Sequence, residues 1–291
     1  MRNRLLVCLA ILFLTFLIEF FGGIYTRSLS LVSDSFHVLS DLFTLALSYL
    51  TLLIALRKVP TDKMTYGYHR LEVFSALING VTLVGIALWM ILKAVDRMKS
   101  PQPVLVFPAL EIAIFGFWVN LLCAFILHRT REKKDLNFRS AYLHLVADTF
   151  ASISVILGIL LIHWTGKYIV DSLVAIALSL WILISAVRVL AGGAGILLQQ
   201  SPHELDKIRK KVREIPGIID LEDIRLWQVC SNLIVGTAHV ITNVSTLKET
   251  EEISVQIKTL LQNQFNICHM TLQFESPEMA ERHSHEFEHW H

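Results

Sequence analysis

Six apolar runs, each long enough to cross a lipid bilayer, constrain this chain more than any other feature. They lie near residues 5–25, 34–56, 72–95, 104–127, 142–164 and 168–191. A helix needs about 20 mostly apolar residues to span the hydrocarbon core. Hydrophobic residues make up 54% of the 291, and charged ones only 18%, which is far from the balance of an ordinary soluble domain. The first run follows Arg2 and Arg4, yet it is too long for the core of a signal peptide and lacks a small-residue cleavage site, so it reads as a retained helix. Lys and Arg fall unevenly on the short connections. Arg2, Arg4, Arg57, Lys58, Lys63, Arg70 and the basic run 129–139 lie on one side, against Arg27, Lys93, Arg97, Lys99 and Lys167 on the other. The positive-inside rule then predicts a multi-pass protein of the inner (plasma) membrane with both termini in the cytoplasm. Cys8, Cys123, Cys230 and Cys268 show no paired spacing, which fits a reducing compartment for the last two.

At Ser201 the composition changes. The segment "SPHELDKIRKKVREIPG" predicts a short amphipathic helix with Ser201 as N-cap and Pro202 at the first helical position. Two strand-like runs follow, "IIDLEDIRLWQV" and "NLIVGTAHVIT", then a polar helix near 247–264 and the alternating "ICHMTLQFE". The order αββαβ predicts a small α+β domain. Residues 201–291 hold 14 acidic and 9 basic side chains, so this part is acidic and enriches cations only weakly and without selectivity. No basic stripe supports a nucleic-acid partner. The domain expectation is therefore a helical membrane domain over 1–198, a cytosolic α+β domain over 199–276, and a His-rich unfolded tail over 277–291.

Ionisable residues inside the spans carry the chemistry. Each costs several kcal/mol in lipid, roughly 2.5 to 3.5 on insertion scales, so such a residue is a functional candidate by default. His37 and Asp41 are four apart, hence on one helix face. His144 and Asp148 in "AYLHLVADTF" repeat the spacing. Two such pairs facing one another supply two imidazole nitrogens and two carboxylate oxygens, a full tetrahedral shell most natural for Zn²⁺. Ligand type leaves Co²⁺, Cd²⁺ and Fe²⁺ open. Buried charges persist when they coordinate a metal, which accounts for the carboxylates. Glu19, Asp34, Asn79, Asn120 and Asp171, taken singly, fit a helix–helix hydrogen bond equally well. Asp34, seven before Asp41, either relays protons, orients a ligand from behind, or makes a structural hydrogen bond.

These residues resemble the cation diffusion facilitators, the zinc transporter family, along almost the whole chain. "SLVSDSFHVLSD" is similar to that family's second-helix signature and "YLHLVADTFAS" to its fifth. "YGYHRLEVFSALING" and "DSLVAIALSLWIL" resemble the stretches of its third and sixth helices. The resemblance implies six transmembrane helices followed by a ferredoxin-like, metallochaperone-like cytosolic domain, with His37, Asp41, His144 and Asp148 as transport-site ligands. It implies a secondary active transporter rather than an enzyme, exporting Zn²⁺ in exchange for H⁺ by alternating access, and a homodimer formed through the cytosolic domains. The chemistry agrees, because metal ligands must be deprotonated and a histidine exchanges its proton near neutral pH. No G-x-x-x-x-G-K-[ST] motif supports ATP drive. The long His-rich loop between helices four and five found in many eukaryotic relatives is missing, so the chain resembles bacterial members.

The family's cytosolic domains often hold further Zn²⁺. His239 and Glu275 match such positions, with Cys268 or Asp223 as further donors, although Gln273 and Cys268 stand where some members have His. An ordinary half-buried strand histidine is as good a reading of His239. In the loop after the second helix, Met64 and Tyr68 replace the family's two His, and Asp62 with His69 does not rebuild a site. The tail motif "HEFEH" (285–289) satisfies the H-E-x-x-H pattern of zinc proteases but lies on none of the six spans, so an intramembrane protease is disfavoured. A loose metal-collecting tail remains as its functional reading. A channel is the other alternative, and it lacks proton coupling.

Overall fold

The computed structural model describes residues 2–57, 62–128 and 136–287. Six long helices come first: α1 (Arg2–Thr26), α2 (Leu29–Arg57), α3 (Arg70–Lys99), α4 (Val106–His128), α5 (Leu136–Thr165) and α6 (Ile169–Leu197). Among the described residues Leu9–Thr26, Arg70–Lys99, Val106–Cys123 and Ile169–Leu197 are long and apolar enough to cross a membrane, and Thr149–Thr165 is a shorter apolar stretch. The chain divides into two compact units, residues 1–58 with 75–191 and residues 59–74 with 192–291.

In the first unit small residues set the helix spacing, as they do wherever lipid removes the hydrophobic drive for association. A Cβ on Gly23 of α1 would come within 2.6 Å of Val32 Cγ2 and 2.9 Å of its backbone nitrogen, so α1 and α2 touch there because position 23 has no side chain. Ser33 of α2 donates to the Ala175 carbonyl of α6 at 3.4 Å and lies 3.2 Å from the Ser179 hydroxyl. Leu31, Ala109, Ala113, Val155 and Ile159 form one apolar cluster, and Leu12, Val38 and Cys123 another.

Helix α2 starts five residues before the apolar run that signals it, and the cause is a carboxylate from another helix. Asp171, in the first turn of α6, accepts from the backbone N–H of Leu29 (2.6 Å) and Ser30 (3.2 Å). It also accepts from the hydroxyls of Ser28 (2.7 Å) and Ser30 (2.6 Å), and the Arg97 guanidinium of α3 lies 3.6 Å away. Arg97 donates in turn to the Arg27 carbonyl. The first N–H groups of any helix lack partners within it, and an acidic group beside them also meets the positive end of the helix dipole.

The second unit holds α7 (Leu205–Val212), β1 (Ile218–Cys230), β2 (Leu233–Thr242), α8 (Leu247–Phe265), β3 (Ile267–Glu275) and α9 (Pro277–Phe287). The strand order is β1-β2-β3, with β1 antiparallel and β3 parallel to β2. A parallel neighbour needs a crossover, and α8 provides it. Ile208 and Val212 of α7 and Ile253, Ile257 and Leu261 of α8 recur at four-residue spacing and pack on Leu221, Leu226, Val240 and Met270 of the sheet. Helix α8 opens on a capping box formed by Thr246 and Glu249 and ends at Asn266 in the left-handed conformation.

Three sequence expectations change here. The first short helix begins at Leu205 with Glu204 as N-cap, not at Ser201. The Ser201 hydroxyl is engaged by the His203 carbonyl, and the His203 ring bonds the Phe265 carbonyl, which holds the segment out of the helix. The segment expected to be unfolded after Glu275 forms α9 as far as Phe287; its Ala280 is buried and its first turn closes on Ser276. Residue 223, inside the first strand-like run, sits at a register shift between Glu222 and Arg225, and Asp223 takes a positive φ of 40°.

Two outcomes test this account. Asp171→Ala leaves Arg97 and the start of α2 without their buried acceptor, and the expected loss is about 3–5 kcal/mol, read as a lowered unfolding midpoint of the full-length protein in detergent. In the second unit Arg213 hydrogen-bonds Asp220 and holds its carboxyl below the usual range. A depressed folded-state pKa stabilises above the ordinary carboxylate pKa and ceases to do so as pH falls through the folded value. The difference in urea midpoint between the natural chain and Asp220→Asn should therefore be largest near neutral pH and shrink steadily below about pH 4.

Candidate metal centre

Helix α2 carries Asp34, His37 and Asp41 into the interior of the first unit, where they are 1%, 6% and 8% exposed. At the four-residue spacing of one helical turn, His37 and Asp41 share a face. Asp34 is held one turn nearer the start of α2. Its Oδ2 accepts from the Ser152 hydroxyl of α5 at 3.3 Å, and Ser152 accepts from the Asn120 amide of α4 at 3.2 Å. Ser152 lies one turn after Asp148. Leu31 clusters with Val155 and Ile159, and Asp34 meets Ser152, so residue numbers rise along α2 as they fall along α5.

The other two expected ligands, His144 and Asp148, are placed on α5 by its backbone, and their side chains lie outside the described residues. The described geometry therefore covers one His-x-x-x-Asp pair and the contact that brings the second helix against it.

Glu19 of α1 is a feature the sequence reading ranked no higher than its single neighbours. It is 0% exposed, and among the described residues neither carboxylate oxygen has a hydrogen-bond partner. Its Oε1 occupies the space over Gly116 of α4, where a Cβ would come within 1.8 Å. The usable signal was its charge within an apolar run.

In the second unit three of the four expected donors gather. His239 Nδ1 lies 2.9 Å from Glu275 Oε1, and its Nε2 lies 4.0 Å from Asp223 Oδ2. Glu275 also accepts from Gln273 at 2.6 Å, and Asp223 from Arg225 at 2.9 Å. Cys268 does not belong with them. It is exposed at the opposite end of β3, seven residues or roughly 23 Å of strand from Glu275, and its thiol donates to the carbonyls of Asn232 (3.5 Å) and Asn266 (3.7 Å).

The loop residue His69 has its Nδ1 3.6 Å from the Cys230 thiol, and Glu72 accepts from Ser231 at 2.6 Å. Burial, with the Glu72 carboxylate as a lesser cause, pushes the Cys230 thiol up. Among the described residues no three His, Cys, Asp or Glu side chains are drawn close enough to hold a metal ion as they stand. The tail histidines His283 and His285 have side chains outside the described residues, as do His289 and His291 entirely.

Comparison with known proteins gives the frame for these sites. The family model described as the cation efflux transmembrane domain matches residues 5–198, and that of the cation efflux protein cytoplasmic domain matches residues 200–277. The metal cation efflux system protein CzcD of Cupriavidus metallidurans is 34% identical over 90% of this chain and 83% of its own length. The cadmium, cobalt and zinc/H(+)-K(+) antiporter of Bacillus subtilis is 34% identical over 93% and 86%, and zinc transporter ZitB of Escherichia coli 33% over 89% and 82%. With one domain model ending where the composition changes and the next beginning there, this chain belongs to the cation efflux family, as a multi-pass membrane transporter with a C-terminal cytoplasmic domain.

Proposed function

We propose that the chain exports Zn²⁺ from the cytoplasm in exchange for H⁺, at one tetrahedral site made by His37 and Asp41 of α2 with His144 and Asp148 of α5. The observation that carries this reading is the antiparallel contact of the two helices at Asp34 and Ser152. One turn forward along α2 from Asp34 is His37, and one turn back along α5 from Ser152 is Asp148. The same step repeated reaches Asp41 and His144, so two His-x-x-x-Asp pairs of opposite direction fall at one level. Zn²⁺ is the cargo, and the donor set of two nitrogens and two oxygens suits it. Cd²⁺ and Co²⁺ share that ligand preference in part, and relatives are named for all three metals.

Coupling follows from the ligands. Imidazole and carboxylate hold metal only when deprotonated, so Zn²⁺ binding releases protons and protonation on the opposite side releases Zn²⁺. Alternate exposure of one such site converts a proton gradient into metal export without ATP. Both termini lie in the cytoplasm by the Lys and Arg distribution. The cytoplasmic domain pairs with that of a second copy, and His239, Glu275 and Asp223 form the remaining donor set for a secondary metal there. A metal bound there would have to draw Glu275 from its bond with Gln273.

Transport into inside-out vesicles tests the reading. With the lumen made acidic, the natural chain accumulates Zn²⁺, and an imposed pH jump of the opposite sign reverses the flux. His37→Ala, Asp41→Ala, His144→Ala and Asp148→Ala each abolish accumulation while the protein remains folded. Zinc flux indifferent to the pH jump would make the protein a channel, and normal accumulation by the His37 variant would remove the site.

A further inference from the structure

Beyond the level of His37 and Asp41, the interior of the first unit holds a second polar layer. We propose that Glu19, Asp34 and Asn120 form an all-oxygen divalent-cation site on the exit side of the transport site, occupied in passage. The proposal rests on the transport reading above for its direction.

The layer is built from four helices. Asp34 (α2), Ser152 (α5) and Asn120 (α4) are joined in one hydrogen-bonded chain in which the Asn120 amide donates to Ser152 and Ser152 to Asp34. That direction leaves the Asn120 carbonyl oxygen as an acceptor and makes Ser152 the group that positions the other two. Glu19 enters from α1 over Gly116, one turn from Asn120 on α4. Asp34 and His37 both lie within electrostatic reach of its carboxyl group. All four polar residues are buried, between 0% and 5% exposed.

Glu19 is the group that requires a ligand. Both of its oxygens are buried without a hydrogen-bond partner among the described residues, and an unpaired buried carboxylate is among the most costly groups a protein holds. A proton occupies only one of its two oxygens and leaves the other buried without a donor. A cation meets both oxygens at once. Two carboxylates with one amide carbonyl balance a charge of +2, and they contain none of the nitrogen donors that hold Zn²⁺ tightly. Weaker binding suits a point of passage, since conduction needs sites favourable enough to enter and weak enough to leave. Asp34 lies toward the start of α2, the end placed away from the cytoplasm, so an ion leaving His37 in that direction meets this layer first.

The site is tested with Mn²⁺, an oxygen-preferring divalent probe, on purified full-length protein. In a chain carrying His37→Ala and Asp148→Ala, Mn²⁺ should still bind, seen by electron paramagnetic resonance, and adding Glu19→Gln or Asp34→Asn should remove it. In the otherwise natural chain Glu19→Gln should lower Zn²⁺ turnover in vesicles by about tenfold or more while leaving the tightest Zn²⁺ binding step unchanged in calorimetry. Gly116→Ala, which displaces the Glu19 carboxyl without altering any charge, should lower turnover likewise, and it serves if the triple variant does not fold. Mn²⁺ binding that survives Glu19→Gln overturns the proposal, including where turnover has dropped, because that result puts Glu19 on a proton route. Natural turnover in both Glu19→Gln and Gly116→Ala overturns it as well. Failure of the transport reading is separate, being a His37→Ala chain that still accumulates Zn²⁺.

Discussion

Helix α2 begins with backbone N–H groups that its own residues meet only in part, and the remaining acceptor arrives from about 140 residues away on α6. Asp171 takes two of those N–H groups and two serine hydroxyls, with Arg97 of α3 beside it. The Ser28 hydroxyl at the N-cap takes the Leu31 N–H at 3.3 Å and leaves those of Leu29 and Ser30. Inside a bilayer the unmet groups cost several kcal/mol each, and a single carboxylate that meets four of them fixes where α2 starts. It also fixes the rotation of α2 about its axis, and through that the direction in which Asp34, His37 and Asp41 face. Ser33 and Ser179 extend the α2–α6 contact by one turn. The position of Asp34, His37 and Asp41 is thus set by hydrogen bonds at one end of the helix that carries them.

In the second unit the same accounting reaches a different result, because the sheet and not lipid surrounds the polar groups. His239 stands in the central strand, paired with Glu222 on one side and Gln273 on the other. Glu275, two residues beyond Gln273, reaches back to the imidazole at 2.9 Å. A β-bulge at Asp223 turns that carboxylate toward the other ring nitrogen.

How much of this was legible in the sequence depends on the range of the interaction concerned. The six helices and the αββαβ order follow from periodicity and apolar length, which are local, and their bounds agree with the structure to within a few residues in most cases. Two of the exceptions have non-local causes. The start of α2 depends on Asp171, and the start of α7 on a His203 ring bonded to Phe265. Cys268 alternates correctly with Met270 and was grouped with Glu275 by position in the family pattern, yet strand geometry separates the two by the length of β3. Burial of His37 and Asp41 was readable, since a charge in an apolar run has nowhere to go but inward. Glu19 carried the same signal and was underrated, because nothing in sequence tells which charged residue will find a hydrogen-bond partner.

Along α2 the three polar levels differ in what they ask of a ligand. At the first turn Asp171 is fully met by fixed donors, so it exchanges nothing and acts as a structural joint. At Asp34 the Ser152 hydroxyl donates to the carboxylate and is itself held by the Asn120 amide, so a chain of neutral groups orients that carboxylate. At His37 and Asp41 the level offers an imidazole and a carboxylate one turn apart, donor types that divalent metals accept. On the transport reading proposed above, an ion moving from the third level toward the first would pass from nitrogen and oxygen donors to oxygen alone, then meet a level closed by the Asp171 joint. Release at the far side would require that joint to be bypassed or opened, and the helix that would have to shift is the one that carries His37 and Asp41. Under that proposal α2 links the protonation of its side chains to its own position, because both belong to one element.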